Sequence, residues 1–172
     1  MRLRFLLPFM ALAACTAQGA QPTGGNPQVD RLAGPVSFDL SSWGRLLTHW
    51  QVNPDGTGEI WRGEGFGKGE GTVRKYRLRM DDAAMRGFLA ASEPLRRATV
   101  AEVPCQRTIT DMPYGAVNWE LPGGRQTYRF DIGCRSAAAD AVAERIKAVQ
   151  NVIDTMAAID AEPYATEQPE AR

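Results

Sequence analysis

Few residues in this chain could do chemistry, and they are dispersed. There is one histidine, His49, and there are three cysteines, Cys15, Cys105 and Cys134. A hydrolytic triad would need His49 to meet an aspartate such as Asp39, Asp111 or Asp131 and a serine, because the imidazole takes the hydroxyl proton while the carboxylate fixes its tautomer. No spacing brings these groups together, and there is no nucleophile elbow. A half-exposed strand histidine is the plainer reading, and no catalytic residue is assigned.

The run Gly63-Glu64-Gly65-Phe66-Gly67-Lys68-Gly69-Glu70-Gly71 invites comparison with a phosphate-binding loop. A Walker loop needs a glycine five residues before its Gly-Lys pair and a hydroxyl residue after it, and those places hold Arg62 and Gly69. The dinucleotide fingerprint fails at Glu70, and a strand rather than a helix is expected next. The run therefore reads as a loop between two strands, able to serve as a contact surface. Asp55, Glu64 and Glu70 lack the alternating oxygen pattern of a calcium loop, so neither a metal nor a cofactor is expected.

Charge and aromatic residues offer recognition instead. Arg74, Lys75, Arg77 and Arg79, with Arg62 and Lys68 nearby, form the most basic stretch. It reads either as a patch for an acidic partner, an anionic glycan or lipid headgroups, or as a strand whose charges guard an edge. The acidic stretch beyond Ala157 could fold back over it. Trp50 and Trp119 fall on expected inward faces, whereas Trp43 and Trp61 sit near strand ends where an aromatic can serve recognition. Trp61, Phe66, Lys68, Lys75, Arg77 and Arg79 are the candidate binding surface. With 20 basic and 20 acidic residues the net charge is zero, which argues against nucleic acid as a partner.

The elements that must position these groups follow from periodicity. Val117, Trp119 and Leu121 alternate with Asn118 and Glu120, Pro122-Gly123-Gly124 turns the chain, and Tyr128, Phe130, Ile132 and Cys134 share the returning face. This predicts an antiparallel hairpin. Upstream, residues 46–52 alternate, Asn53-Pro54-Asp55-Gly56 is a strong turn signal, and residues 59–62 and 72–80 supply two further strands. Asp81 can cap a helix carrying Met85, Phe88 and Leu89, expected to end near Ser92 because Pro94 follows. Ser136 can cap a longer helix with Val142, Ile146, Val149, Ile153 and Met156 on one face. The expected fold is α+β, an antiparallel sheet with two helices on one face, in the order β-β-β-α-β-β-α.

The N-terminus has a different character. Residues 1–4 are basic, residues 5–14 are apolar, and small residues precede Cys15, the layout of a secretory signal too short to span a bilayer. Leu12-Ala13-Ala14-Cys15 resembles the lipobox of bacterial lipoproteins, which implies cleavage before Cys15 and lipidation of that residue. Residues 1–14 are thus expected to be a signal peptide, 15–34 a lipidated cysteine and flexible tether, 35–157 one domain and 158–172 a disordered acidic tail. Cys105 and Cys134 then remain as an even pair in an oxidising compartment, where a disulfide persists.

The Pro54-Asp55-Gly56-Thr57 turn, the Thr110-Asp111-Met112-Pro113-Tyr114 segment and Gly133-Cys134 resemble a family of secreted bacterial domains of unknown function. That resemblance implies the fold and no activity. The expectation for function is a lipid-anchored envelope protein, facing the periplasm from the outer membrane, that binds another envelope protein or a cell-wall component. Two alternatives stand beside it. One is an inhibitor of an exported hydrolase acting through a disulfide-stiffened loop at residues 108–114; the other is a hydrolase using His49 with a carboxylate.

Overall fold

A computed structural model describes residues 31–65 and 71–168. The expected signal segment, Cys15, most of the tether, Phe66, Lys68 and the last four residues lie outside the described residues. The fold is α+β, with a large antiparallel sheet and two helices.

Four long strands come first: β1 (Val36–Ser42), β2 (Arg45–Val52), β3 (Thr57–Glu64) and β4 (Thr72–Arg79). Helix α1 (Asp82–Ala98) follows, then the short β5 (Arg107–Thr108) and the hairpin β6 (Tyr114–Leu121) with β7 (Gly124–Asp131). The chain closes with β8 (Cys134–Arg135), α2 (Ala137–Met156), β9 (Ala158–Ile159) and β10 (Ala165–Glu167). The main sheet runs β10-β4-β3-β2-β1-β6-β7, with β9 also on β4. A separate small ladder joins β5 to β8.

Alternation along the strands selects the inner face. Registers align Tyr128, Val117, Phe38, Trp50 and Ile60 in one row across five strands. Phe38 stacks on Trp50 with ring centres 5.4 Å apart, and Phe88 of α1 meets Trp50 edge-on at 5.7 Å. Leu95 of α1 and Val142, Val149 and Ile153 of α2 complete the buried cluster. Side chains at period two on the strands and near 3.6 on the helices thus face one another across a single core.

The turns and caps follow from local hydrogen bonding. Gly56 adopts φ +80°, and the Asp55 carboxylate accepts from both the backbone N–H and the hydroxyl of Thr57, which holds its pKa below the usual value. Asp81 caps α1 by accepting from the Ala84 N–H at 2.8 Å, and Ser136 caps α2 through the Ala139 N–H at 3.0 Å.

Four details differ from the sequence expectation. β1 is an additional strand and lies inside the sheet, paired with β2 on one side and β6 on the other, with Val36 and Phe38 inward. Helix α1 runs through Pro94 to Ala98. A proline there forfeits one backbone bond, but Leu95 is buried and Glu93 binds both Arg96 and Arg97, so the last turn is anchored without it. Leu32, inside the expected tether, packs against the core. The fourth is the stretch after α2, where residues 158–167 do not read as a loose tail: β9 and β10 pair with β4 and extend the sheet. Edge pairing offers backbone partners to a polar sequence that has little apolar surface to bury.

Candidate functional site

The outward face of the sheet carries a second row, in which Asp39, His49, Trp61 and Lys75 are successive cross-strand neighbours on β1 to β4. His49 Nδ1 lies 2.8 Å from Asp39 Oδ1, and its ring packs on Trp61 at 4.4 Å. The Lys75 ammonium lies 4.0 Å from the Trp61 ring centre and 2.6 Å from a carboxylate oxygen of Glu167 on β10. The single histidine is therefore brought to an aspartate, as a hydrolase would require. Among the described residues no serine, threonine or cysteine makes a hydrogen bond to it. Asp111 and Asp131 lie elsewhere, Asp131 accepting the Gly133 backbone N–H.

Trp61 sits in the middle of β3 with its ring in contact with His49 and Lys75. The basic residues are likewise engaged: Arg74 with Glu64, Arg79 with Asp160, and Arg77 against the Tyr164 ring at 5.6 Å. Tyr164 also donates its hydroxyl to Glu59. Burial first, and then that bond, raises the Tyr164 pKa. Of the candidate surface, Trp61, Lys75, Arg77 and Arg79 are thus brought together on β3 and β4, where residues 158–167 pack against them.

A different part of the molecule presents unoccupied recognition groups. The β1–β2 turn, the approach to β6, the end of β7 and the start of β4 all lie at one end of the sheet. There Trp43 is 76% exposed at the tip of a two-residue turn, with φ +52° followed by φ +73° at Gly44. Positive φ at both positions is what a tight I′ hairpin turn requires, and asparagine usually fills the first of them. A bulky residue there is strained, and such strain gathers at functional sites. The Tyr114 hydroxyl accepts the Gly44 N–H at 3.2 Å, and Tyr114 itself is 45% exposed.

Leading toward β6 runs a continuously exposed stretch, residues 104–111. It is held at several points. Cys105 and Cys134 are joined, Thr108 pairs with Cys134 in the β5–β8 ladder, and the Ile109 N–H bonds the Gly133 carbonyl at 2.9 Å. The Ser136 hydroxyl, while capping α2, also donates to the Pro104 carbonyl at 2.7 Å. Asp111 turns the chain at φ +63°. Gly133 permits the close approach, since a Cβ there would stand 2.0 Å from the Ile109 carbonyl oxygen. The exposed Ile109 and Tyr114 and the strained Trp43 therefore share one end of the sheet on a stiffened scaffold.

Below this end, between α2 and the inner face of β7, opens a cavity of about 630 Å³ lined by Leu40, Val103, Tyr128, Phe130, Ile146 and the disulfide, among others. Loss of hydration raises the Tyr128 pKa. The size is that of an ordinary small-molecule pocket.

The sequence puts Trp43 near a strand end but carries no sign of its positive φ or of the Tyr114 hydroxyl that meets Gly44. The usable signal was the pair Trp43-Gly44 between two alternating runs, with tryptophan where asparagine is usual. No protein-family profile, curated protein or solved structure matches this chain.

Proposed function

We propose that this protein is a lipid-anchored binding module of the cell envelope, tethered through Cys15 and meeting a protein partner with the end of the sheet that carries Trp43, Ile109 and Tyr114. One observation carries the reading: Trp43 is held in a strained turn with its indole exposed, beside a second exposed aromatic. Tryptophan and tyrosine dominate binding hot spots because each buries a large rigid surface at little cost in conformational freedom. The anchor rests on the basic start, the apolar run and Leu12-Ala13-Ala14-Cys15. An outer-membrane position facing the periplasm and an envelope-protein or cell-wall partner fit that layout.

A narrower form of the same reading is an inhibitor of an exported hydrolase. The exposed stretch at residues 104–111, pinned by the disulfide, favours it, because a stiffened loop loses little freedom when it enters an active-site cleft.

Site-specific photocrosslinking in intact cells tests the proposal. A photoreactive residue at position 109, which leaves Trp43 in place, is expected to give a discrete adduct, whereas one at Arg97 or Arg145 on the helices gives none. Adducts from the helix positions alone would refute it. Intact mass of the membrane fraction tests the anchor: acyl chains on Cys15 are expected, and an unacylated protein in the soluble fraction would overturn the localisation.

A further inference from the structure

The segment after α2 occupies β4 in the manner of a bound peptide. It pairs at Ala158 and Ile159 with Arg79 and Leu78, and at residues 165–167 with Lys75, Arg74 and Val73. Between these stretches the Asp160 N–H bonds the Arg77 carbonyl at 3.0 Å and the Tyr164 N–H the Lys75 carbonyl at 2.9 Å. Its side chains answer the basic strand one by one: Asp160 to Arg79, Tyr164 to Arg77, Glu167 to Lys75. Backbone pairing to a sheet edge with alternate side chains read by the neighbouring strands is how extended peptides are recognised.

Two features mark the segment as exchangeable. Its acidic groups are exposed, with 41% of the Asp160 and 59% of the Glu167 side chain open to water, where ion pairs hold weakly and are screened by salt. It also buries little: none of its residues is fully buried, and its largest side chain, Tyr164, stays 46% exposed.

We propose that the β4 edge is a docking site for an extended acidic peptide of a partner protein, of the pattern Asp-x-x-x-Tyr-x-x-Glu, and that residues 158–167 are its resident, displaceable occupant. Lys75 and Arg77 read the glutamate and the tyrosine, and Arg79 reads the aspartate. The Trp43 end of the sheet plays no part, so this proposal and the preceding one stand or fall separately.

The test uses the full chain and a fluorescent synthetic peptide spanning residues 158–168, with binding followed by anisotropy. A Tyr164→Ala, Glu167→Ala variant, which loosens the resident segment, should bind the peptide about ten-fold more tightly than the unaltered chain, because the competent fraction rises. Adding Lys75→Glu should abolish that binding, and high salt should weaken it. Equal affinity in the two proteins, or binding that survives Lys75→Glu, would overturn the proposal. Hydrogen exchange on the unaltered chain gives a check that needs no variant. Amides of β10 should exchange at least about 100-fold faster than those of β1 and β6, as expected for local opening, and equal protection would overturn it.

Discussion

Breaking the bridge between Cys105 and Cys134 tests how the Trp43 end is held together. The two residues are 29 apart in sequence, and for a closed loop of that size the chain-entropy relation gives about 3.6 kcal/mol at 25 °C. On the folded side other ties remain: the β5–β8 ladder, the Ile109 bond to Gly133 and the Ser136 bond to Pro104. The loop should therefore stay docked, and the loss should come from freeing the unfolded chain. At roughly 3–5 °C per kcal/mol for a domain of this size, the midpoint of thermal unfolding should fall by roughly 10–18 °C. Calorimetry with and without reductant measures it, and the Cys105→Ser, Cys134→Ser protein should reproduce the reduced value. Tryptophan fluorescence of the native state should change little. A fall of less than about 3 °C with both thiols shown free by mass would refute the reasoning, since the bridge would then not constrain the unfolded chain as supposed.

Three further outcomes follow from other parts of the fold. Phe88→Ala, which empties a fully buried site against Trp50, should cost about 3–5 kcal/mol in urea unfolding, and a loss under about 1 kcal/mol would contradict the core described here. The Glu93 pKa lies below 4.5, chiefly because Arg96 donates to its carboxylate, so its contribution is present above the unfolded value and is lost as pH falls through the folded one. Glu93→Gln should accordingly be less stable than the parent near neutrality, with the difference shrinking as pH falls through the folded value, and a pH-independent difference would count against the pairing. Tyr128 and Tyr164 both have raised pKa values, Tyr128 by burial and Tyr164 by burial and then its bond to Glu59. Their folded environments favour the neutral phenol, so stability present below pH 10.0 is lost as pH rises beyond it. Tyrosinate absorbance should show one late-ionising group removed by Tyr128→Phe and another by Tyr164→Phe; loss of amplitude near pH 10.0 in either variant would contradict this.

How far the sequence could be read depended on whether local pattern or distant contact decided each element. The β6–β7 hairpin and both helix caps were legible because alternation, Pro122-Gly123, Asp81 and Ser136 act within a few residues. β1 carries the same alternation in Val36, Phe38 and Leu40, but it follows a glycine- and proline-rich stretch that hides its start. Its importance lies in pairing with β6 some eighty residues away, between residues such as Ser37 and Asn118, whose side chains bond. Pro94 gave a correct local warning that Leu95 burial overrode. Composition alone makes residues 158–167 look unstructured, whereas backbone pairing to the β4 edge, with matching charges beside it, orders them.

The site shows the same division. Lys75, Arg77 and Arg79 were visible as a charged run, and the segment packed on them was foreseeable from opposite charge. The nearness of Trp43 to Tyr114 was not, because it depends on the register of β1 with β6 and on two positive backbone angles. The His49 pair with Asp39 likewise follows from β1–β2 register rather than from any motif.

The most direct test is the affinity of the Trp43→Ala protein for the partner captured by crosslinking at position 109. A hot-spot tryptophan is worth about 2 kcal/mol or more, so affinity should fall by at least roughly 30-fold while the thermal midpoint stays near that of the parent. Unchanged affinity in a folded Trp43→Ala protein would show that the partner is met elsewhere and that the strained turn has no part in recognition.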